Sequence, residues 1–266
     1  MLAGVEPGQP GIRGMGDGQP EPGLIREAVG EFGAGAELPP RAEPGAGAAI
    51  ENAGPEEKKR YGMAIDIDRC IGCGRCMEAC KTENDVSREP FYFRTWVERY
   101  VIGEDESLTV QNLGMERYQV AEPINEWDVL RSFFVPKLCN QCEHPPCVQV
   151  CPVGATFSTE EGVVLIDSKR CIGCGYCIQA CPYGARYLRP DTKTADKCNF
   201  CYHRITKGLL PACVEVCPTQ ARVFGDLNSR ESPLTRFKRM KMIHVLKPYL
   251  NTEPKVFYAN LDGLVR

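Results

Sequence analysis

The chain lacks the features of several large protein classes. It has only three histidines and two tryptophans among 266 residues, and its formal net charge is −3. It contains no run of about 18 consecutive apolar residues, so we expect no transmembrane helix. Nucleic-acid-binding domains are usually strongly basic, so the near-neutral charge argues against nucleic acid as a partner. Neither a heptad nor a Gly-X-Y period is present, which excludes coiled coil and collagen.

Cysteine is abundant, with sixteen residues. The cysteines could form disulfides, zinc sites or iron–sulfur clusters. Disulfide frameworks spread cysteines over the loops of short secreted chains, whereas these cysteines are crowded together. Zinc sites commonly recruit histidine, which is scarce here. The cysteines form four groups: Cys70, Cys73, Cys76 and Cys80 (group 1); Cys139, Cys142, Cys147 and Cys151 (group 2); Cys171, Cys174, Cys177 and Cys181 (group 3); Cys198, Cys201, Cys213 and Cys217 (group 4).

The spacing in group 3, C-x2-C-x2-C-x3-C-P, is the ligand run of bacterial [4Fe–4S] ferredoxins. A compact cubane needs three thiolates from one tight loop, in which glycines let backbone N–H groups approach the sulfurs. The fourth cysteine, on the helix that follows, ligates the neighbouring cluster. The spacing therefore predicts iron–sulfur clusters rather than zinc or disulfides.

Residues 65–81 and 166–182 form an internal repeat, identical at 11 of 17 positions. A second pattern, C-x3-C-P-x2-A, recurs from Cys147, Cys177 and Cys213. Each unit is predicted to be a short strand, a cluster loop and a brief helix that the proline ends. Two units make one two-cluster module, so the repeat predicts an α+β fold of two bacterial ferredoxin-like modules related by pseudo-symmetry, with little ordinary hydrophobic core.

Groups 2 and 3 are close in sequence and predict a continuous module, across which groups 1 and 4 must find each other. Residues 1–55 hold 21 glycines and prolines, and they show no apolar stretch of an export signal, so we expect a disordered or draped extension. The expected divisions are an extension over 1–60, a discontinuous module over 61–97 and 191–230, an insertion over 98–127, a continuous module over 128–190, and a C-terminal extension over 231–266.

The rule that the fourth cysteine ligates the neighbouring cluster predicts four crossed ligand sets, which together use all sixteen thiols. We predict no catalytic residue in the chain. Each set is named by the group that supplies three of its thiols. The sets are Cys70, Cys73, Cys76 and Cys217 (site 1); Cys139, Cys142, Cys147 and Cys181 (site 2); Cys171, Cys174, Cys177 and Cys151 (site 3); Cys198, Cys201, Cys213 and Cys80 (site 4). Four basic residues just before the groups either stabilise reduced clusters or are solvated surface charges: Arg69, Lys137, Arg170 and Lys197.

Three segments carry a resemblance to a known family: CNQCEHPPCVQVCPVGATF, CIGCGYCIQACPYGARYL and DKCNFCYHRITKGLLPACVEVCPTQARVFGDL. Over about 61–230 the chain resembles the four-cluster iron–sulfur subunits of membrane-bound respiratory complexes, such as polysulfide, tetrathionate and dimethyl sulfoxide reductases. The resemblance implies four [4Fe–4S] clusters, because Cys174 stands where some relatives lack a cysteine and hold a three-iron cluster. Group 1 departs from the pattern, since Lys81 replaces the proline after Cys80, which removes only the helix stop.

The resemblance implies a non-catalytic electron-transfer subunit. Its partners would be an integral-membrane quinone-binding subunit and a large molybdopterin- or haem-containing subunit, and it would be peripheral to the plasma membrane through them. The lack of an export signal favours the cytoplasmic face, and export with a partner to the periplasmic face is the alternative. Other candidates are an iron–sulfur subunit of a hydrogenase or formate dehydrogenase, a soluble polyferredoxin and, from another class, a zinc-stabilised scaffold. The insertion and the C-terminal extension favour a subunit over a compact free ferredoxin.

Overall fold

The structure is a computed structural model that describes residues 58–89, 92–113 and 126–265. The expected N-terminal extension lies outside the described residues up to position 57. Short helices alternate with strands throughout the described ranges, as an α+β fold requires. Within these ranges, no helix combines the length and the apolar character needed to cross a bilayer.

The elements of the described chain are short. The strands are β1 (Tyr61–Asp66), β2 (Thr95–Gly103), β3 (Leu108–Asn112), β4 (Val129–Leu138), β5 (Thr156–Ser158), β6 (Val164–Ile166), β7 (Arg186–Leu188), β8 (Ala195–Lys197), β9 (Arg222–Asp226), β10 (Ile243–His244) and β11 (Val256–Ala259). The α-helices are α1 (Arg75–Glu83), α2 (Pro146–Gln149), α3 (Tyr176–Gln179), α4 (Tyr202–Ile205), α5 (Ala212–Glu215) and α6 (Pro233–Met240), and two 3₁₀ turns cover Glu126–Asp128 and Pro248–Leu250.

A four-stranded sheet in the order β10-β11-β1-β9 joins the two ends of the described chain. Strand β1 lies in its centre, antiparallel to β9 and parallel to β11, so that Met63 lies opposite both Phe224 and Val256. Helix α6 packs on β1 and β9. The C-terminal extension is therefore part of the same folded unit as the strands that flank groups 1 and 4.

A three-stranded antiparallel sheet in the order β3-β2-β4 forms the insertion. Its strands β2 and β4 pair from Thr95 opposite Leu138 to Gly103 opposite Val129. Strand β2 begins before residue 98 and all of β4 follows residue 127, so this sheet includes residues on both sides of the insertion expected over 98–127. Hydrogen-bonded pairing of β2 with β4 defines this sheet, and a change in local composition does not reveal such pairing.

Groups 2 and 3 lie in a region built from two hairpins and two one-turn helices. Strand β5 pairs only with β6, and β7 only with β8, in separate two-stranded sheets of the described chain. Helix α2 packs against α3, as α1 packs against α5 on the other side of the molecule. This arrangement places the loops of groups 2 and 3 next to each other, and those of groups 1 and 4 likewise.

The prolines after the last cysteines set the lengths of the helices. Helices α2, α3 and α5 span four residues each and end two residues before Cys151, Cys181 and Cys217, which proline follows in every case. Helix α1 spans nine residues and continues past Cys80 to Glu83, because Lys81 keeps the backbone N–H that proline lacks. The expected effect of the missing proline is confirmed.

The expectation of little hydrophobic core is wrong. A buried apolar cluster connects β1, β2, β4, β9 and β11, and Met63, Val135, Val256 and Tyr258 in it are at most 1% exposed. Val256 and Tyr258 come from the C-terminal extension, a segment that an interpretation based on cysteine spacing leaves outside the modules. A second, smaller cluster contains Cys147, Val164, Cys177 and Ala195.

Candidate metal centres

The four thiols predicted for site 2 line one cavity. Its empty space is about 310 Å³ including the open mouth, and its walls contain Cys139, Cys142, Cys147 and Cys181. Pro145, Pro146 and Pro182 cover it with apolar surface, and Arg186 completes the wall. Cys181 reaches this cavity from group 3, whereas the other three thiols belong to group 2.

The thiols predicted for site 1 line a second cavity of about 340 Å³, again counted with its mouth. Three of them, Cys70, Cys73 and Cys76, come from the loop that leads into α1, and Cys217 comes from group 4. Arg222 stands in this wall where Arg186 stands in the other. The two cavities therefore repeat one construction at different places in the chain.

The chemistry of these cavities fits a cluster. The donors are thiols, the ligands of iron–sulfur clusters, and each cavity takes three of them from one group and the fourth from another. No set of three or more His, Cys, Asp or Glu side chains within the described ranges is gathered closely enough to hold a single metal ion. The thiols of sites 1 and 2 line the walls of cavities and do not converge on one metal position.

The thiols of site 4 are neighbours as well. The Asn84 amide Nδ2 donates to the sulfurs of both Cys80 and Cys201, each at 3.6 Å. Burial raises the pKa of the Cys80 thiol, and the charges of Cys198 and Cys213 raise it further. Because Cys80 belongs to group 1 and the others to group 4, their contact again joins two groups.

Site 3 is the set whose members the structure brings together least. Cys177 lies in the smaller buried cluster with Cys171 packed against it, and the Ala195 amide donates to the Cys171 sulfur at 3.4 Å. Cys174 is exposed. The contacts of the described chain do not bring Cys174 or Cys151 against this pair.

The backbone around Cys151 nevertheless suits an anionic sulfur. Burial alone would raise the pKa of the Cys151 thiol, but hydrogen bonds from the backbone amides of residues 153–156 lower it. Elsewhere burial dominates and raises the pKa of Cys70 to about 11 and that of Cys142 to about 12. Metal ligation requires the thiolate, so loading of these sites must release protons.

Two glycines in the repeated loops have no substitute. Gly72 and Gly173 both adopt φ of 70°, which L side chains rarely adopt. A Cβ on Gly173 would stand 2.3 Å from the Lys193 carbonyl oxygen, and one on Gly72 would stand 2.5 Å from the Phe134 ring. In groups 2 and 4 the same positions are Gln141 and Phe200, at φ of 47° and 55°, and both side chains are buried.

Comparison with known proteins gives a consistent result. A family model described as a 4Fe-4S dicluster domain matches residues 130–227, and a 4Fe-4S binding domain matches residues 61–82. A tetrathionate reductase subunit of Salmonella typhimurium is 42% identical over 238 residues, which is 89% of this chain and 86% of the relative. The chain belongs to this family of iron–sulfur reductase subunits.

Two further relatives widen the family. The corresponding tetrathionate reductase subunit of Archaeoglobus fulgidus is 45% identical over 209 residues, covering 79% of this chain and 86% of the relative. A polysulfide reductase chain of Wolinella succinogenes is 38% identical over 200 residues, covering 75% and 93%. The resemblance identified from the cysteine segments is confirmed, and the chain is a [4Fe–4S] iron–sulfur protein.

The four basic residues just before the cysteine groups have partners other than the sulfurs. Lys137 pairs with Glu98 at 2.7 Å, and Arg69 lies 3.6 Å from Asp66. The exposed Arg170 donates to the Val153 carbonyl at 3.3 Å. Lys197 is buried and donates to the Cys198 carbonyl at 2.8 Å, so its charge lies close to a ligand loop without contacting a sulfur there.

The cations that do contact sulfur in this iron–sulfur subunit were not predicted. Arg186 Nη2 donates to the Cys147 sulfur at 2.8 Å, and Arg222 Nη2 donates to the Cys76 sulfur at 3.4 Å. A signal was available, because the repeated C-x3-C-P-x2-A continues as Ala-Arg after groups 3 and 4. Comparison of the repeats one residue further would have identified both.

Proposed function

We propose that the chain binds four [4Fe–4S] clusters, one at each of sites 1 to 4, and conducts electrons between two partners in a reductase complex. The observation that carries this proposal is the crossed construction of the two cavities, where a thiol from one group completes the set of another. That crossing is the ligand exchange of two-cluster ferredoxins, and it supports two ferredoxin-like modules related by pseudo-symmetry.

The ligand count supports conduction rather than catalysis. Catalytic metals keep an open coordination position, whereas sixteen thiols fill four sets with none left over. A [4Fe–4S] cluster supplies one-electron transfer at a potential that its hydrogen bonds, charge and exposure set. The side chains of this subunit then hold each cluster, exclude water from it and set its electrostatic surroundings.

Contacts between sets support the order site 1, site 4, site 2, site 3. Helices α1 and α5 pack together, which supports a position of site 1 beside site 4. Cys198 of site 4 and Cys139 of site 2 share the main buried cluster, and the Gln141 side-chain Nε2 donates to the Cys198 carbonyl at 2.7 Å. Cys147 of site 2 shares the smaller cluster with Cys177 of site 3. Sites 1 and 3 would then be the two ends, where electrons enter and leave.

The partner subunits are inferred from the family. Relatives are named as single subunits or chains of tetrathionate and polysulfide reductases, which supports a larger complex here. We assign the partners as a quinone-binding integral-membrane subunit and a large molybdopterin- or haem-containing subunit, with attachment to the membrane through them. Co-purification of the tagged chain from solubilised membranes, with metal and haem analysis of the bound subunits, tests this assignment.

Matched cysteine substitutions test the crossed ligand sets. We expect Cys217→Ser to alter the same electron paramagnetic resonance (EPR) signal as Cys73→Ser, because both thiols belong to site 1. Cys80→Ser should instead alter the signal that Cys201→Ser alters, because both belong to site 4. If Cys217→Ser and Cys201→Ser changed the same signal, the crossing would be wrong. A colourless protein with stoichiometric zinc would refute the clusters altogether.

A further inference from the structure

Two buried arginines stand at equivalent places beside sites 1 and 2. Arg186 is 5% exposed and Arg222 is 3% exposed, although arginine is almost never fully buried unless it is paired. Each follows the alanine of a repeated C-P-x2-A-R segment, five residues after the last cysteine of its group. Each lines the cavity that this cysteine completes.

The two guanidinium groups use the same pair of contacts. Arg186 donates to a ligand sulfur and, at 3.3 Å, to the Thr156 hydroxyl. Arg222 donates to a ligand sulfur and, at 2.8 Å, to the Thr95 hydroxyl. The hydroxyl fixes the direction of the guanidinium, and the sulfur that it reaches belongs to the third cysteine of the paired group.

Neither arginine has a carboxylate partner within the described residues, and one nitrogen of each, Nε of Arg186 and Nη1 of Arg222, has no hydrogen-bond partner there. A buried cation without an anion is strongly unfavourable. Burial would lower the pKa of both groups, but the charges of surrounding thiols raise it. The anion that balances each arginine is therefore the sulfur-ligated site itself.

The arginines also lie near thiols of the adjoining sites, Arg186 near Cys177 of site 3 and Arg222 near Cys213 of site 4. At the position of the arginines, the unit after group 2 has Thr156 and the unit after group 1 has Asp85. Arg94, which lies near Cys80 of site 4, is paired with Asp196 at 2.9 Å. The uncharged amide of Asn84 donates to the sulfurs of Cys80 and Cys201 there.

We propose that Arg186 and Arg222 are positioning residues that raise the reduction potentials of the clusters at sites 2 and 1, whose ligand sulfurs accept their hydrogen bonds. The inference rests on the proposed function, because it requires a cluster at each site. Reduction adds one negative charge to a cluster, and a fixed cation hydrogen-bonded to a ligand sulfur stabilises the reduced form.

Redox titration followed by EPR, on the complex purified with its iron, tests the proposal. Arg186→Gln should make reduction of the site 2 cluster about tenfold less favourable, which lowers its midpoint potential by about 59 mV for a one-electron couple. Arg222→Gln should lower the site 1 potential by less, because its sulfur contact is longer. Arg186→Lys, which keeps the charge, should recover part of the loss.

Arg170→Gln is the matched control, since Arg170 directly precedes Cys171 but donates to a backbone carbonyl. It should leave all four potentials unchanged. An unshifted site 2 potential in Arg186→Gln, with full iron content, would overturn the proposal. If that variant fails to load iron, Thr156→Val keeps the charge and removes only its hydroxyl partner. A smaller fall in the site 2 potential is then expected, and no fall would equally overturn the proposal.

The two proposals fail in distinguishable ways. Iron content and the number of EPR signals in the unsubstituted complex test the four clusters. The shift of one signal in the arginine variants tests only the role of the guanidinium groups. Four clusters with arginine-independent potentials would therefore leave the proposed function intact and remove this inference.

Discussion

The half of the molecule that carries cysteine groups 1 and 4 and the half that carries groups 2 and 3 hold their cysteine loops in different ways. In the first half, β1, β9 and β11 form a continuous sheet whose side chains belong to the main buried cluster. In the second, β5 to β8 form two separate hairpins. Two of the four buried residues in the second half's own cluster are the cysteines Cys147 and Cys177.

Similar cysteine loops therefore do not imply similar stability of the structure around them. A two-stranded hairpin is marginal by itself, so β5 to β8 depend on what their loops ligate and on the neighbouring half. The sheet around β1 buries large apolar side chains, each worth about 1.5–3 kcal/mol of hydrophobic free energy. We therefore expect the metal to stabilise the second half more than the first.

Removal of iron should produce the largest difference between the halves. After anaerobic chelation, the free energy of local opening for β5 to β8 should fall close to zero, whereas amides of β1, β9 and β11 should stay protected. Hydrogen–deuterium exchange with mass spectrometry on loaded and chelated protein measures both. Equal loss of protection in the two halves would show that the sheet has no stability of its own.

The end of helix α1 tests how much the length of this helix contributes to the stability of the first half. Lys81→Pro gives group 1 the helix stop of the other groups, and it should cost about 3 kcal/mol of unfolding free energy. The substitution also removes the Lys81 ammonium from the carbonyls of Ser87 and Glu89, each at 3.1 Å. Chemical denaturation measures the loss.

Two controls separate the causes in that experiment. Lys81→Met removes the ammonium and keeps the helix, so it should cost distinctly less than Lys81→Pro. The reverse change at the exposed Pro152, Pro152→Lys, should stay within about 0.5 kcal/mol of the unsubstituted protein. If Lys81→Pro were as mild as Pro152→Lys, the length of α1 would contribute nothing to the first half.

Two adjacent valines test the difference between the main and the smaller buried cluster. Val163 belongs to the main buried cluster and Val164 to the smaller one, and both are at most 1% exposed. Each change to alanine should cost about 2 kcal/mol in iron-loaded protein. In chelated protein Val163→Ala should cost more than Val164→Ala, because ligand cysteines make up half of the buried residues in the cluster that contains Val164. Denaturation curves of both variants in both states would contradict this if the costs were equal after chelation.

Short-range patterns in the sequence predicted the parts of the molecule that local chemistry determines. Cysteine spacing defined the ligand groups, and the prolines after Cys151, Cys181 and Cys217 predicted the ends of the helices. The crossed ligand sets remain a prediction, supported by the positions of Cys181 and Cys217 in the cavity walls.

Long-range pairing was not predictable in this way. Strand β11 lies beside β1 although most of the chain separates them, and nothing in VFYA marks β1 as its neighbour. The same limit applies to β4, whose pairing with β2 extends the sheet to both sides of residues 98–127. The arginines Arg186 and Arg222 are intermediate, because their repeat is local while the sulfurs that they contact lie in distant groups.

The contact between the two larger sheets provides the smallest test. The Tyr258 hydroxyl, on the fully buried side chain of β11, donates to the Pro136 carbonyl of β4 at 3.1 Å. Tyr258→Phe removes this hydrogen bond and keeps the ring, so it should cost about 1 kcal/mol. Because both partners lie on strands of the larger sheets, the cost should be the same before and after chelation. Tyr249→Phe, at a 75% exposed side chain, should cost nothing measurable, and a Tyr258→Phe cost that vanished on chelation would mean that iron also organises the main core.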